Sequence, residues 1–257
     1  ESKRVTRTPH AQIMRTLHNE LDSIMPHLPR RDDLTDDQRG QITRGAAVAL
    51  QARAYLYDGD WANAERYCNM LISQQEQNGH YSLFPNYAAL FTQDAEYNEE
   101  IIADCEYAPK VRVWEDMFNM APLSVGARVN EIAPTQSLVD AFLMLDGQTA
   151  EQSPLYDASV PYANRDPRLT ATVVYDGYRW SDNVDDGTKD KVIYTNPDAL
   201  DKTDAFAGLN KNQTPTGYYV RKYYDAKHEH YMQSSINIIT MRYADVLLMY
   251  AETMNEQ

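Results

Sequence analysis

The chain is poor in cysteine and has no long apolar run. Its two cysteines, Cys68 and Cys105, are too few for a disulfide scaffold and lack the spacing of a metal site, so we interpret both as buried apolar side chains. The apolar stretch at 246–251 is far shorter than the ~20 residues of a membrane-spanning helix. The charged first residues do not resemble a signal peptide. These absences argue against a disulfide-rich, metal-clustered or helical membrane protein.

Basic residues are scarce as well. The chain has 24 lysines and arginines against 38 acidic residues, which gives a formal net charge of -14. A negative surface repels the phosphate backbone of nucleic acids, so we predict no nucleic-acid partner. Hydrophobic residues make up 43% of the chain, with only 10 glycines and 12 prolines, and this composition is typical of a folded globular protein.

Motifs of common enzymes are missing from the sequence. It contains no G-x-S-x-G, P-loop or dinucleotide fingerprint. The HEH at 228–230 lacks a second histidine at the zinc-binding position, where Met232 stands. The run DNVDDG at 182–187 resembles a calcium loop, but Val184 and Ile193 occupy ligand positions. Abundant carboxylates could mimic a glycosidase pair, although abundance says nothing about their separation. We therefore predict no catalytic residue, no metal and no cofactor, and weak calcium binding by the DNVDDG run stays open as an alternative.

Residues 43–72 have the pattern of a tetratricopeptide-type helical hairpin. Gly59 fits the turn between two helices, and small residues fall at Ala52 and Ala64, where the two helices would touch. Asp60 is placed to cap the second helix. The alternative is an ordinary alanine-rich helical hairpin. Either interpretation predicts a helical platform at the front of the chain, and a repeat fold is typical of binding proteins.

The remaining elements are predicted from periodicity and turn residues. We expect a mostly α fold with a loop-rich half that contains a few short strands. The predicted elements are a helix at 8–28 with a buried stripe of Ile13, Leu17, Leu21, Ile24 and Met25, a strand at 100–108, a long ordered loop at 109–134, a core helix within 134–147 that buries Leu138, Val139, Phe142 and Leu143, a strand from Thr170 to Tyr175, a loop at 181–217 and a final helix from about 237.

Six blocks along the chain point to one family. In order they are TRGAAVALQARAYLYDGDWANAERYC, NEEII before a strand, PTQSLVDAF followed by DG, RDPRL before TVVYDG, PTGYYVRKYY, and RYADVLLMYAETMNE. In content and order these blocks resemble the SusD/RagB family of nutrient-binding outer-membrane lipoproteins. Together they span nearly all of the chain.

The resemblance implies a helical scaffold of tetratricopeptide-like hairpins and a loop-rich half that carries the ligand site. On this basis we interpret 1–257 as the central portion of one SusD-like domain, with a repeat portion at 8–80, a ligand-binding portion at 81–235 and the start of a further hairpin at 236–257. The family's lipid anchor and terminal regions would then lie outside this fragment.

The resemblance also implies function and partners. Family members are non-catalytic lipoproteins on the outer surface of Bacteroidetes-type bacteria, attached to the membrane through the lipid anchor. They capture an oligosaccharide or polysaccharide, or in some branches a peptide, and pass it to a SusC-like TonB-dependent transporter. Two other hypotheses stay open at this point, a repeat adaptor that binds peptides or proteins and a glycoside hydrolase.

Polar aromatic residues supply the candidate glycan contacts. The chain has 19 tyrosines and three tryptophans against five phenylalanines, and a sugar needs a flat aromatic face beside hydrogen-bonding groups. Any one of these aromatics could instead pack the core, as we expect for Trp61. The predicted glycan-binding residues are Trp114 with Arg112 and Asp116, Trp180 with Tyr178 and Asn183, and Tyr107.

Overall fold

The computed structural model describes residues 6–182, 190–206, 211–228 and 232–257. Its helices are α1 (His10–Ile24), α2 (Arg44–Tyr57), α3 (Trp61–Ile72), α4 (Gln75–Asn78), α5 (Met117–Met120), α6 (Gln136–Ala141), α7 (Pro167–Thr172) and α8 (Tyr243–Glu256). Its strands are β1 (Ile101–Cys105), β2 (Val173–Val174), β3 (Tyr178–Trp180), β4 (Lys191–Ile193), β5 (Tyr219–Val220) and β6 (Ile238–Arg242). The predicted mostly α fold with a few short strands is confirmed.

The chain divides into two compact units. The first, here called the helical unit, takes the chain up to Pro85 together with Tyr97–Glu106 and Asn237–Gln257. The second, here called the loop unit, takes Asn86–Glu96 and Tyr107–Ile236. Strands pair antiparallel in three separate ladders, β1 with β6 in the helical unit, and β2 with β5 and β3 with β4 in the loop unit.

The hairpin of α2 and α3 forms as its sequence predicts. Gly59 has a φ of 72° at the turn, a conformation that glycine adopts without a Cβ penalty. Asp60 caps α3, because its side chain accepts a hydrogen bond from the Asn63 amide. Ala52 and Ala64 are both fully buried in one apolar cluster, where their small side chains allow the two helix backbones to approach closely.

The same cluster contains residues from the C-terminal part of the chain. Val246 and Met249 of α8 are buried with the hairpin, and α8 packs on α3. Arg242, the residue before α8, donates to the buried Glu100 carboxylate at 2.6 Å. The helical unit therefore joins segments that lie far apart in the sequence. Among the described helices, none has the length and apolar character needed to cross a bilayer.

Helix α1 is shorter than predicted, and its buried side differs from the predicted stripe. Ile13 and Ile24 are 51% and 48% exposed, whereas His18 is buried. The His18 ring stacks on Tyr55 with 3.6 Å between ring centroids, and its Nδ1 lies 2.5 Å from the Gln51 Oε1. A polar contact between α1 and α2 thus replaces part of the apolar stripe that the spacing of isoleucine and leucine predicted.

The two cysteines differ in their surroundings. Cys68 is fully buried in the helical unit, and burial raises the pKa of its thiol to about 12. Cys105 lies at the end of β1 and is half-buried. The prediction of a buried apolar side chain is therefore confirmed for Cys68 and holds only in part for Cys105.

The loop unit departs from its predicted pattern at several elements. Helix α5 and strand β4 lie within the predicted loops at 109–134 and 181–217. In α6, Val139 is buried while Leu138 is 43% exposed, and Leu143, beyond the end of the helix, is 39% exposed, so the predicted core face was too wide. The predicted strand from Thr170 begins only at Val173. Helix α7 occupies the preceding residues, because Asp166 caps it and proline stands at its first position.

The motif RDPRL performs two separate structural tasks. Arg168 pairs with Asp166 near the surface. Arg165 is buried, and its Nη2 donates to the carbonyl oxygens of Val139 and Phe142 at 2.7 and 2.6 Å. These carbonyls lie at the C-terminal end of α6, where the Val139 oxygen also accepts from the Phe142 amide at 3.2 Å but no further turn of helix follows to supply a donor for the Phe142 oxygen. One arginine of the motif therefore closes the first turn of α7 and the other binds the end of α6.

Candidate functional site

Trp180 does not reach a surface on which a sugar could stack. It lies in β3 and is fully buried, with its ring 4.5 Å from that of Tyr224. Side chains alternate along a strand, so Tyr178 and Trp180 both face the core and Arg179 faces solvent. The prediction that Trp180 projects from a loop to contact glycan is therefore wrong. Its predicted neighbour Asn183 lies outside the described residues, as do most of the DNVDDG run and part of the HEH cluster.

Trp114 is half-buried and held at both its backbone and its side chain. Its backbone pairs with Ser234, and its indole Nε1 donates to the Ile236 carbonyl at 2.9 Å. Tyr107 and Arg112 lie nearby in sequence. The guanidinium carbon of Arg112 lies 4.9 Å from the ring centroid of Tyr107. Arg112 and Asp116 are exposed. This segment presents polar and aromatic groups, but the hydrogen bonds of Trp114 to Ser234 and Ile236 also hold its own loop in place.

The loop unit contains a cavity of about 670 Å³, here called the Arg221 cavity. Its wall comes from residues 88–94, from helix α7 and strand β3, and from residues 221–227. The aromatic and charged lining residues are Phe91, Tyr178, Tyr223, Tyr224, Asp94, Asp182, Arg221, Lys222, Asp225 and Lys227. Of the predicted glycan-binding residues, Tyr178 lines this cavity, whereas Trp114, Tyr107, Arg112 and Asp116 do not.

Arg221 organises one side of the cavity. Its Nη2 lies 2.5 Å from the Asp182 Oδ2, and both side chains are only about a quarter exposed. The guanidinium carbon lies 4.7 Å from the Trp180 ring centroid and 5.6 Å from that of Tyr224. A planar guanidinium stacks favourably on aromatic faces. Trp180 therefore contributes to the cavity indirectly, by supporting Arg221 from the core.

Tyr178 and Lys222 add further groups to the wall. The Tyr178 hydroxyl donates to the Thr170 carbonyl at 3.1 Å, and burial raises the pKa of this phenol, so it stays protonated at neutral pH. The Lys222 ammonium lies 3.8 Å from the Phe91 ring centroid. Lys227 pairs with Asp94, but both side chains are exposed and such a pair contributes about 0–1 kcal/mol.

The segment after β5 holds these groups in place. The amide of Arg221 donates to the Thr172 carbonyl at 2.9 Å. The Tyr224 amide donates to the Arg221 carbonyl at 3.1 Å, which closes a turn in which Tyr223 has a φ of 65°. The Asp225 carboxylate accepts hydrogen bonds from Ser234 and from the Lys227 amide. The block PTGYYVRKYY, which resembles the corresponding block of the family, contains Arg221, Lys222, Tyr223 and Tyr224. Its adjacent cations and tyrosines are the pattern that could have pointed to a ligand-binding wall.

A smaller cavity of about 410 Å³ adjoins the Arg221 cavity and shares Gln93, Asp225 and Lys227 with it. Lys110 and Val113 line its other side. The predicted segment around Trp114 therefore contributes Lys110 and Val113 to a cavity next to the Arg221 cavity.

The Arg221 cavity contains the kinds of side chain that bind sugars. Aromatic rings can receive the C–H face of a sugar, while carboxylate and guanidinium groups can bind its hydroxyls. Among the described residues, no cluster of histidine, cysteine, aspartate or glutamate is suited to hold a metal ion. The arrangement is suited to holding a polar, ring-shaped molecule of small to moderate size.

Comparison with known proteins places the chain in a family. A SusD-like protein of Formosa agariphila is 25% identical over 97% of this chain and 45% of its own length. The solved structure of a SusD-like carbohydrate-binding protein from Bacteroides fragilis superposes with a TM-score of 0.84 at 24% identity, over 98% of this chain and 47% of that one. A third protein, crystallised with a xylogluco-oligosaccharide, superposes with a TM-score of 0.65 at 17% identity, over 99% of this chain and 48% of that one.

The chain thus spans about half the length of the relatives that it matches. At these identities the structural likeness demonstrates the fold, which is that of the SusD-like proteins. The sequence model of the SusD family matches residues 99–257, which is more than half of the chain. This protein belongs to the SusD family.

Proposed function

We propose that this protein binds glycans without cleaving them and that the Arg221 cavity is its main binding site. The observation that carries the proposal is the composition of the cavity wall, where Tyr178 and Tyr223 stand beside the Arg221–Asp182 pair. Stacking and hydrogen bonding would supply the affinity, and no bond in the glycan would break. Family membership supports the same conclusion, since one relative of this fold is described as carbohydrate-binding and another was crystallised with an oligosaccharide.

The pairing of Arg221 with Asp182 suits a site that must recognise hydroxyl groups. A guanidinium stacked on Trp180 and bonded to a carboxylate is held in one orientation before any ligand arrives. Preorganised donors and acceptors lose less conformational entropy on binding than mobile ones. A sugar hydroxyl can donate to a carboxylate and accept from a guanidinium, so the pair matches both of its roles.

We also propose that the protein lies on the outer surface of the cell. Members of this family are expected to sit on the outer membrane through a lipid anchor and to pass glycan to a SusC-like TonB-dependent transporter. Two measurements test this part. Protease treatment of intact cells should degrade the protein, and purification from solubilised membranes should recover the transporter with it. A protein that resists protease on intact cells, or that is recovered without a transporter, would contradict this extension.

A tryptophan introduced at Ala226 should block the Arg221 cavity. Ala226 is exposed and lines the cavity, so a larger side chain can be added without filling the core. We expect Ala226→Trp to weaken binding at least about tenfold, which corresponds to about 1.4 kcal/mol. Isothermal titration of neutral oligosaccharides, among them xylogluco-oligosaccharides, into the intact protein measures the change.

The matched control for this change is Ala158→Trp. Ala158 is also exposed but lines none of the cavities described above, so its variant should bind with unchanged affinity. Equal affinity for Ala226→Trp and Ala158→Trp would exclude the Arg221 cavity. Release of reducing sugar by the unaltered protein would show a glycoside hydrolase instead, and preferential binding of peptides would favour the peptide-importing branch.

The segment with Tyr107, Arg112, Trp114 and Asp116 is proposed as a secondary contact surface. Arg112 is exposed and can be changed with little risk to the fold. We expect Arg112→Ala to weaken glycan binding by roughly threefold, as loss of one solvent-exposed contact does. Arg179→Ala, at an exposed position of β3, is the control. Identical binding curves for the two variants would remove this segment from the site.

A further inference from the structure

A second cavity in the loop unit has walls of different chemistry. Here called the tyrosine cavity, it has a volume of about 650 Å³. Four aromatic residues line it, Tyr162, Tyr175, Tyr218 and Phe206. Phe206 is 38% exposed, which leaves part of its ring open to solvent. Aromatic surface that is exposed within a concave wall is the usual feature of a site for a molecule with apolar faces.

The polar groups of this cavity are neutral with one exception. Ser159, Asn196 and Thr216 contribute hydroxyl and amide groups, and Asp176 contributes one carboxylate. Asp176 Oδ1 accepts hydrogen bonds from the amides of Thr195 and Asn196, which fixes its orientation. Within the described part of the wall there is no lysine, arginine or histidine. An anionic ligand would therefore meet no compensating charge here, unlike in the Arg221 cavity.

A series of ring contacts connects the two cavities. Tyr162 stacks on Tyr175 with 4.0 Å between ring centroids, and Tyr175 makes an edge contact with Tyr178 at 5.5 Å. Tyr175 lines the tyrosine cavity and Tyr178 lines the Arg221 cavity. Both hydroxyls also bond to Thr170, since that of Tyr175 lies 3.0 Å from its Oγ1 and that of Tyr178 donates to its carbonyl. The two cavities are thus neighbours across the contact between the Tyr175 and Tyr178 rings.

We propose that the tyrosine cavity is a second carbohydrate subsite, which takes neutral sugar units, and that the ligand is an oligosaccharide long enough to occupy both cavities. The inference rests on the proposed function, because it assumes that the Arg221 cavity binds glycan. Its basis is the combination of four aromatic residues, uncharged hydrogen-bonding groups and the ring contact between the cavities. A chain that occupies both subsites gains affinity with length, whereas a single sugar unit does not.

The proposal predicts an effect that depends on ligand length. Ala163 is exposed and lines the tyrosine cavity, so Ala163→Trp should fill it. We expect this variant to bind the longest members of a neutral series, such as malto-, cello- or xylogluco-oligosaccharides, about tenfold more weakly than the unaltered intact protein does. Disaccharides of the same series should bind as before. Ala226→Trp should instead weaken binding of every length.

Two further variants distinguish a loss of binding from a loss of folding in Ala163→Trp. Phe206→Ala removes one exposed ring from the same cavity and should reproduce the length-dependent loss. Ala158→Trp, five residues before Ala163 and outside the cavity wall, should change nothing. Unchanged melting temperatures confirm that each variant is folded.

The outcomes separate this inference from the proposed function. If long oligosaccharides bind Ala163→Trp and Phe206→Ala as tightly as the unaltered protein while Ala226→Trp weakens binding, the second subsite is refuted and the proposed function stands. If the unaltered protein binds no member of a broad glycan array, both are refuted.

Discussion

Replacing Trp180 by alanine is expected to lower the free energy of unfolding by about 3–5 kcal/mol. The side chain is fully buried in the core of the loop unit, against Tyr224 at 4.5 Å and under the Arg221 guanidinium at 4.7 Å. Its removal leaves a cavity that the surrounding strand and loop can fill only in part. Urea denaturation followed by circular dichroism measures the loss.

Trp180→Phe is the matched control. The indole Nε1 has no hydrogen-bond partner among the described residues, so phenylalanine removes volume without breaking a hydrogen bond. We expect this variant to lose much less stability than Trp180→Ala and to keep glycan affinity. If Trp180→Ala were as stable as the unaltered protein, the buried placement of Trp180 would be contradicted. If Trp180→Phe were stable but no longer bound glycan, the result would support direct contact between Trp180 and the ligand.

Replacing Arg165 by alanine is expected to cost about 1–4 kcal/mol of unfolding free energy. The change removes the charged donor from the carbonyls of Val139 and Phe142. The Val139 oxygen keeps its hydrogen bond from the Phe142 amide, whereas the Phe142 oxygen loses the donation from Arg165, and a buried acceptor left unsatisfied costs about 1–3 kcal/mol. It also removes a cation from the C-terminal end of α6, where the helix dipole favours positive charge. Thermal and urea denaturation measure the effect.

Arg168→Ala provides the control within the same motif. Arg168 is 60% exposed and pairs with Asp166, so its loss should cost only about 0–1 kcal/mol. The hydrogen bond from Arg168 lowers the pKa of Asp166, so this pair stabilises the fold above the ordinary aspartate pKa and ceases to do so as pH falls through the lowered value. The difference between Arg168→Ala and the unaltered protein should therefore shrink in acid. Equal losses for Arg165→Ala and Arg168→Ala would contradict the assigned roles.

Local patterns were sufficient to predict the hairpin of α2 and α3. The Gly59 turn, the Asp60 cap and the small residues Ala52 and Ala64 depend on neighbours within one hairpin, so their spacing specifies them. The same logic failed in α1, where His18 faces α2 in place of the outer isoleucines. A polar contact between two helices depends on both partners, and the period of one helix does not reveal it.

The proposed binding surface was harder to predict because it is assembled from distant segments. Phe91, Tyr178 and Arg221 line one cavity although long stretches of chain separate them. Trp180 illustrates the difficulty. Its neighbours in sequence are polar and resemble a loop, but the short pairing of β3 with β4 places its side chain in the core. Two-residue and three-residue strands carry too little periodicity to be recognised in advance.

The pairing of β1 with β6 has a consequence for how the chain folds. Ile101 and Arg242 lie opposite each other in that ladder, and the segment Tyr107–Ile236 separates the two strands in the sequence. During synthesis β1 keeps an unpaired edge until the segment Tyr107–Ile236 and strand β6 have left the ribosome. Closing so long a loop is slow. Truncation before residue 237 would leave that edge exposed to other chains, which is a recognised route to aggregation. Shortened forms of this protein should therefore keep the final strand and helix if they are to remain soluble.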